Sequence, residues 1–393
     1  MRDYFLADDL SGALDAAAAF HHVGRRVTVA ISQPAWADEG ADVIGITTET
    51  RNQDGAIAAA VVKRTLEEMR GRGARLLYKK IDSTLRGPVA AEVAALARAM
   101  PEAQILFAPA NPAVGRTVRR GQLLVRGIPV AETEFARDPA SPVTTSDIRA
   151  LLGDIAPGRI VIPDAETAAD LGAAVQAMNA AGDPWVAVGS GALVRWVAQY
   201  AAGPAAAKDG SLNKTSEISI LTSCIDPPPA GGKPLTGATC MVVCGSAHPL
   251  NPSQAVLLTR ERGVTCHVLP SDDIAATLIA AGSDKQDSGV ALLLDERRGD
   301  SAELLASLVS VAAERLARTG CARVFVTGGE TAFALCGRLG IDRLVYQREV
   351  EPGLSVSAAP YREGTLFLAV KPGGFGDERT WVRAWDALQK ASA

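Results

Sequence analysis

The chain has 393 residues, 48% hydrophobic and 5% aromatic, with a formal net charge of −4 at pH 7. That length allows two domains with cores of their own, and the slight negative charge argues against nucleic acid or an anionic membrane as main partner. No apolar run is long enough to span a bilayer. The start, Met1-Arg2-Asp3-Tyr4-Phe5-Leu6, carries no signal-peptide pattern, so a cytoplasmic protein is expected.

Tyr4 to Ala7 reads as a first strand, with Asp8 and Asp9 at its carboxyl end and Ser11 placed to cap a helix through Leu14, Ala17 and Phe20. Adjacent carboxylates at a strand end suit a substrate hydroxyl, a metal or general-base work. The plainer alternative is one capping aspartate and one solvated. His21 and His22 close that helix and suit its negative end. Strands follow at Val27–Ile31 and Val43–Ile46. Just past the latter stands Arg51, whose fork of donors could clamp a carboxylate, or else form a surface salt bridge.

A helix from Asp54 to Arg70 leads to a strand at Arg75–Tyr78. Then come Lys79, Lys80, Asp82, Ser83, Thr84 and Arg86, before a helix opens behind Pro88. Turns at the carboxyl ends of strands are where open α/β sheets bind ligands. This mixture could hold a polyhydroxylated anion, cations to a carboxylate and Asp82 and Ser83 to hydroxyls. A solvated charged turn is the alternative.

Ile105–Ala108 is a further strand, followed by a polar loop containing Gly115-Arg116-Thr117 and a hairpin turning at Arg126-Gly127. Strands at Ile160–Ile162 and Val186–Val188 complete the first half. Residues 203–238, with Pro227-Pro228-Pro229 and Gly231-Gly232, read as a linker.

The second half restarts with a strand ending at Gly245-Ser246. Strands at Val264–Leu269 and Val290–Leu294 follow, each with a helix after it. Val324–Thr327 then ends in Gly328-Gly329-Glu330-Thr331, and Leu366–Val370 runs into Lys371-Pro372-Gly373-Gly374. Glycine turns at strand ends let backbone N–H groups approach a phosphate. One such turn is weak; three in one half point to a nucleotide. The six cysteines all fall in this half and read as buried free thiols. No GxxxxGK[ST], helix-opening GxGxxG, HExxH or paired CxxC occurs, which leaves P-loop, dinucleotide and zinc chemistry unsupported.

ADDLSGA (residues 7–13), KKIDSTLRG (79–87) and ETEFARDP (132–139), with the Gly245-Ser246 strand end, TGGET (327–331) and KPGGFG (371–376), resemble the four-carbon acid sugar kinase family along essentially the whole chain. The resemblance implies two α/β domains, each a mostly parallel sheet flanked by helices, with the active site in the interdomain cleft. It implies a sugar-acid-binding domain over 1–205, a linker over 206–238 and a nucleotide-binding domain over 239–393. Members phosphorylate threonate, erythronate or 3-oxo-tetronate with ATP and Mg²⁺.

By the same resemblance, Asp9, Arg51, Lys80, Asp82 and Ser83 would meet the acid sugar. Ser246, Gly328, Gly329, Glu330, Thr331, Gly373 and Gly374 would meet ATP. Chemically, Arg51 with Lys79 and Lys80 would fix the carboxylate, with Asp8, Ser83 and Arg86 beside them. Asp8, Asp9 or Asp82 would accept the hydroxyl proton or hold the metal, Asp9 being the choice for base, and Lys371 would offset phosphate charge. Metal ligands are not assigned, and a homodimer stays open. Two other readings are a sugar-acid sensor without turnover and a metal-dependent phosphatase using Asp8 and Asp9.

Overall fold

A computed structural model describes residues 2–38, 40–203, 237–246, 248–269, 289–294 and 301–391. All but the last two residues of the expected linker, and the helix expected after Leu269, lie outside them. The chain divides into two compact units, Met1–Val27 with Asp38–Ile220, and Thr28–Ala37 with Leu221–Ala393.

The first unit is built from β1 (Asp3–Ala7), α1 (Leu10–His22), β2 (Val27–Ala30, of which only Val27 counts here), β3 (Val43–Thr47), α2 (Gly55–Gly71), β4 (Arg75–Lys80), α3 (Val89–Ala99) and β5 (Gln104–Ala108). There follow β6 (Arg116–Arg119), β7 (Gln122–Val125), β8 (Ile128–Pro129), α4 (Ile148–Leu152), β9 (Ile160–Val161), α5 (Ala168–Ala181), β10 (Trp185–Gly189) and α6 (Gly191–Ala202). Its main sheet is parallel, in the order β3-β1-β4-β10-β5-β9. Every residue of β1 and β3 is buried, as expected of parallel strands covered on both faces. Phe5 of β1 stacks on Phe20 of α1 at 5.5 Å between ring centroids. β6, β7 and β8 form a separate small sheet. Its hairpin turns where expected, with φ positive at Arg126 and Gly127, the backbone a tight type I′ turn demands.

From β1 the chain adds β3 on one side and β4 on the other. Loops leaving such a switch point diverge and open a crevice at the carboxyl ends of the strands. Those ends carry Asp8, Thr48 to Arg51, and Ile81 to Arg86.

The second unit holds β11 (Gly237–Cys244), α7 (Leu250–Arg262), β12 (Thr265–Leu269), β13 (Val290–Leu294), α8 (Ser301–Thr319), β14 (Cys321–Thr327) and α9 (Gly329–Leu339). β15 (Arg343–Glu351), β16 (Leu354–Tyr361), β17 (Gly364–Lys371) and α10 (Thr380–Gln389) complete it. Strands β12-β13-β11-β14-β17 are parallel, and β17, β16 and β15 then run antiparallel to one another. Thr28, Val29 and Ala30 pair antiparallel with β15, which is why that N-terminal segment counts with this unit.

The β15–β16 hairpin is an addition to the sequence reading, which expected parallel strands. Cys240 and Cys244 point into one core with Phe325, Trp381 and Trp385; the described cysteines form no disulfide, and Cys266 is exposed where a buried thiol was expected. Here too β11 has its successors on opposite sides, β13 on one and β14 on the other, so a second switch point lies at Gly245 and Gly328. No helix among the described residues is long and apolar enough to cross a membrane.

Candidate active site

Asp9, not Ser11, caps α1: its carboxylate accepts from the Gly12 N–H at 2.8 Å. The same carboxylate and that of Asp8 are gripped by Arg51. Nε and Nη2 donate to Asp8 at 2.8 and 2.9 Å, and Nη1 and Nη2 donate to Asp9, both at 2.7 Å. Four of the five N–H donors of the guanidinium are thereby used. Burial alone would raise the Asp8 carboxyl, but Arg51, then Lys79 and Lys80, together hold it below the ordinary range. One guanidinium spans both carboxylates and offsets their charge where they lie side by side.

β4 runs two residues further than expected, through Lys79 and Lys80. Alternation along a strand sends their side chains to opposite faces. Lys79 Nζ, fully buried, meets the Glu92 carboxylate of α3 at 3.0 Å. Thr50 Oγ1 donates to the other Glu92 oxygen. The Lys79 ammonium is therefore engaged with Glu92 inside the unit, whereas the sequence reading set it beside Lys80 as half of a carboxylate-binding pair. Lys80 Nζ instead lies 3.8 Å from Asp15 and donates to the Ile81 carbonyl at 3.1 Å.

The next turn is shaped by Asp82. Its carboxylate accepts from the Thr84 hydroxyl and from Arg86 Nε at 2.9 Å and Nη2 at 3.2 Å. Arg86 Nη1 reaches Asp138 at 3.1 Å. Burial would raise the Asp82 carboxyl, yet Arg86, Arg51 and Arg116 hold it well below the ordinary range. Leu85 takes a left-handed φ of 66° and Gly87 one of 93°. A Cβ on Gly87 would come within 2.9 Å of the Arg51 carbonyl, so only glycine lets the β3 and β4 loops touch there.

Three side chains to which the sequence reading gave no role complete this cluster. Arg116 Nη1 donates to Ser83 Oγ, and the guanidinium lies 5.5 Å from the centre of the Phe135 ring. Arg86 lies 5.7 Å from the same ring, a spacing at which cation–π attraction operates. Glu49 has a left-handed φ of 49° and accepts from the Thr47 hydroxyl. Burial, then the charge of Asp9, pushes its carboxyl up to about 8. The positive φ of a non-glycine residue is a strained geometry that gathers at functional sites.

In the second unit the three glycine turns leave adjacent strands at one level, since Cys244 pairs with Thr327 and Thr327 with Lys371. The turns touch. A Cβ on Gly245 would overlap Thr331 Oγ1, and one on Gly373 would overlap Ser246 Oγ. Helix α9 opens at Gly328, where the N–H groups of its first turn have no partner within the helix. Glu330 is exposed and Thr331 buried.

Lys371 is fully buried and donates to the carbonyls of Gly373 at 2.8 Å and Phe375 at 3.1 Å. Burial lowers its ammonium to about 8. Its charge thus sits beneath the glycine loop and fixes the loop's curve. The Thr327 hydroxyl, also buried, has no partner among the described residues. His248 accepts from the Leu250 N–H through Nδ1 at 3.3 Å, and a Cβ on Gly374 would lie 3.0 Å from its ring.

The described residues contain no group of three or more His, Cys, Asp or Glu able to hold a metal ion. Arg51 donates to both Asp8 and Asp9, the pair on which the phosphatase reading rests.

Comparison with known proteins matches residues 4–158 to a sugar-binding N-terminal domain and residues 269–381 to a nucleotide-binding C-terminal domain. The chain is 33% identical to a D-threonate kinase of Cupriavidus necator, covering 99% of this chain and 98% of that protein. It is 31% identical to a D-threonate kinase of Bordetella bronchiseptica, over 98% and 97%. A 3-oxo-tetronate kinase of Methylobacterium radiotolerans is 25% identical over 98% of both chains. Among solved structures, a protein from Salmonella typhimurium LT2 shares the fold with a TM-score of 0.77 at 21% identity, over 98% of this chain and 99% of the other. These full-length matches, together with the two matched domains, show that the chain belongs to the four-carbon acid sugar kinase family.

Proposed function

We propose that the protein is an ATP-dependent kinase that phosphorylates the terminal hydroxyl of a four-carbon sugar acid, with D-threonate as the first substrate to test. The observation that carries this reading is the end-to-end similarity to D-threonate kinases, 33% and 31% identical. The two strand-end clusters supply the chemistry it needs. One carries three guanidiniums and several fixed carboxylates, suited to a polyhydroxylated anion. The other carries three glycine turns that expose backbone N–H groups, suited to phosphates.

Phosphoryl transfer depends mainly on positioning and charge stabilisation. In this reading Asp9, fixed by Arg51 and by its capping bond to Gly12, accepts the hydrogen bond of the attacking hydroxyl. Asp82, locked by Arg86 and Thr84, and Lys80 fix the remaining hydroxyls, and Ser83 meets the acid sugar beside them. Arg51 acts by orienting Asp8 and Asp9 rather than by clamping substrate. Ser246, Gly328 to Thr331, Gly373 and Gly374 cradle the nucleotide phosphates through backbone and hydroxyl donors. Lys371 holds that cradle from below. Mg²⁺ prefers phosphate oxygens and water, and would arrive with the nucleotide.

The test is the product. Purified protein with Mg·ATP and D-threonate is expected to yield a phosphomonoester whose ³¹P signal couples to the terminal methylene protons. Release of ADP without a phosphorylated sugar acid would refute the assignment.

A further inference from the structure

Three guanidiniums converge on the sugar-acid cluster, and they are not equally occupied. Arg51 gives four hydrogen bonds to Asp8 and Asp9. Arg86 forks Asp82 and reaches Asp138. Arg116 alone of the three bears no carboxylate among the described residues. Its guanidinium makes one hydrogen bond, to Ser83 Oγ, and leaves Nε and Nη2 unspent. The residue is only partly exposed, so water does not fully replace the missing partner, and an under-neutralised buried charge is costly.

Its surroundings fix where it points. Gly115, at a left-handed φ of 72°, turns the chain into β6, and the Arg116 carbonyl accepts from the Asn111 N–H at 2.8 Å. The Phe135 ring supports the guanidinium at 5.5 Å. Nearby charges do not compensate it fully. Burial lowers its basicity, Asp82 and Glu134 raise it, and Arg86 and Arg51 lower it again, for a net decrease. Ser83, accepting from Arg116, keeps its own hydroxyl proton to give. A fork of N–H groups beside an O–H donor is the arrangement that reads a planar, two-oxygen anion.

Resting on the kinase reading above, we propose that Arg116, with Ser83, is the carboxylate-binding pair of the site. It takes the part that sequence position suggests for Arg51, and makes the protein select sugar acids over uncharged polyols.

The experiment compares wild type, Arg116→Gln, Arg116→Lys and Ser83→Ala. Sodium D-threonate and the neutral alditol threitol are titrated by calorimetry, and ATP consumption is measured in parallel. Wild type is expected to bind D-threonate and to discriminate strongly against threitol. Arg116→Gln should weaken D-threonate binding at least 100-fold and abolish that discrimination. Arg116→Lys, which keeps the charge but loses the fork, should lie between, and Ser83→Ala should lose about 10-fold.

ATP affinity that matches wild type checks the fold of each variant. If Arg116→Gln fails that check, Arg116→Lys and Ser83→Ala decide the matter. Unchanged D-threonate affinity in the folded variants, or equal losses for acid and alditol, would overturn the proposal, as would a wild type that binds no tetronate. Wild-type binding without ATP turnover would refute the kinase reading, while the variants would still judge Arg116.

Discussion

Lys79 Nζ lies 3.0 Å from the Glu92 carboxylate, and both side chains are sealed from solvent. The pair ties β4 to α3 directly behind the sugar-acid cluster, with Thr50 of the β3 loop as third member. Removing one partner strands the other charge in the interior. Lys79→Met or Glu92→Gln is therefore expected to cost about 3–5 kcal/mol of stability. The double variant Lys79→Met/Glu92→Leu should recover much of that loss. Equilibrium denaturation of the three variants checks it, and additive losses would contradict it.

Arg51 is expected to matter through the aspartates it holds. Arg51→Ala leaves Asp8 and Asp9 as adjacent, unscreened carboxylates, and the Asp8 carboxyl should rise from its depressed value. Activity should fall at least 100-fold, in the range seen when a charge-stabilising group is removed. The depressed Asp8 carboxyl adds stability above its unfolded value of 3.8, lost as pH falls through the folded value. Arg51→Ala should therefore be less sensitive to acid than wild type below about pH 4, as read from urea midpoints.

Glu49 gives the opposite dependence. Its carboxyl rises from 4.5 to about 8 on folding, so between those values the folded protein binds the extra proton. Stability should fall as pH climbs through that window and level off above it. Glu49→Gln should flatten the slope and unfold at higher urea than wild type at pH 8.5. Parallel pH profiles for the two proteins would contradict the assignment.

The glycine turns make a steric prediction. In Gly373→Ala the new methyl group must displace Ser246 Oγ, so the apparent KM for ATP should rise 10-fold or more while binding of the sugar acid persists. Lys371→Met removes the amine that holds the Gly373 and Phe375 carbonyls and should act in the same direction. Calorimetric titration with ADP checks both, and wild-type affinity in either would contradict this account of the loop.

Much of the architecture was legible because the strands are short apolar runs that end abruptly in polar or glycine turns. Ala7 before Asp8, Cys244 before Gly245 and Thr327 before Gly328 mark sheet ends without tertiary information. Lys79 was misplaced for a local reason. With the strand read as stopping at Tyr78, both lysines fell in the turn, whereas two more strand residues put them on opposite faces. β15 and β16 pair antiparallel about Gly353, with φ of 80°; the Pro352-Gly353 dipeptide marks a turn there, but a turn alone does not tell which strands pair across it.

Arg116 and Phe135 were hidden for another reason. They stand 33 and 52 residues beyond Ser83, and only the loops after β5 and β8 bring them back to it. Glu49 stood in view between Thr48 and Thr50, but its significance depends on a backbone angle and on burial that no spacing reveals.

The most direct test of the account is ADP release by the purified full chain with Mg·ATP and a panel of D-threonate, L-threonate, D-erythronate and the 3-oxo-tetronates. The account predicts release that depends on one of these acids, with one phosphorylated acid formed per ADP. No acid-dependent release from any member, in a protein that still binds the acid and ADP separately, would contradict it and leave a two-ligand sensor in its place.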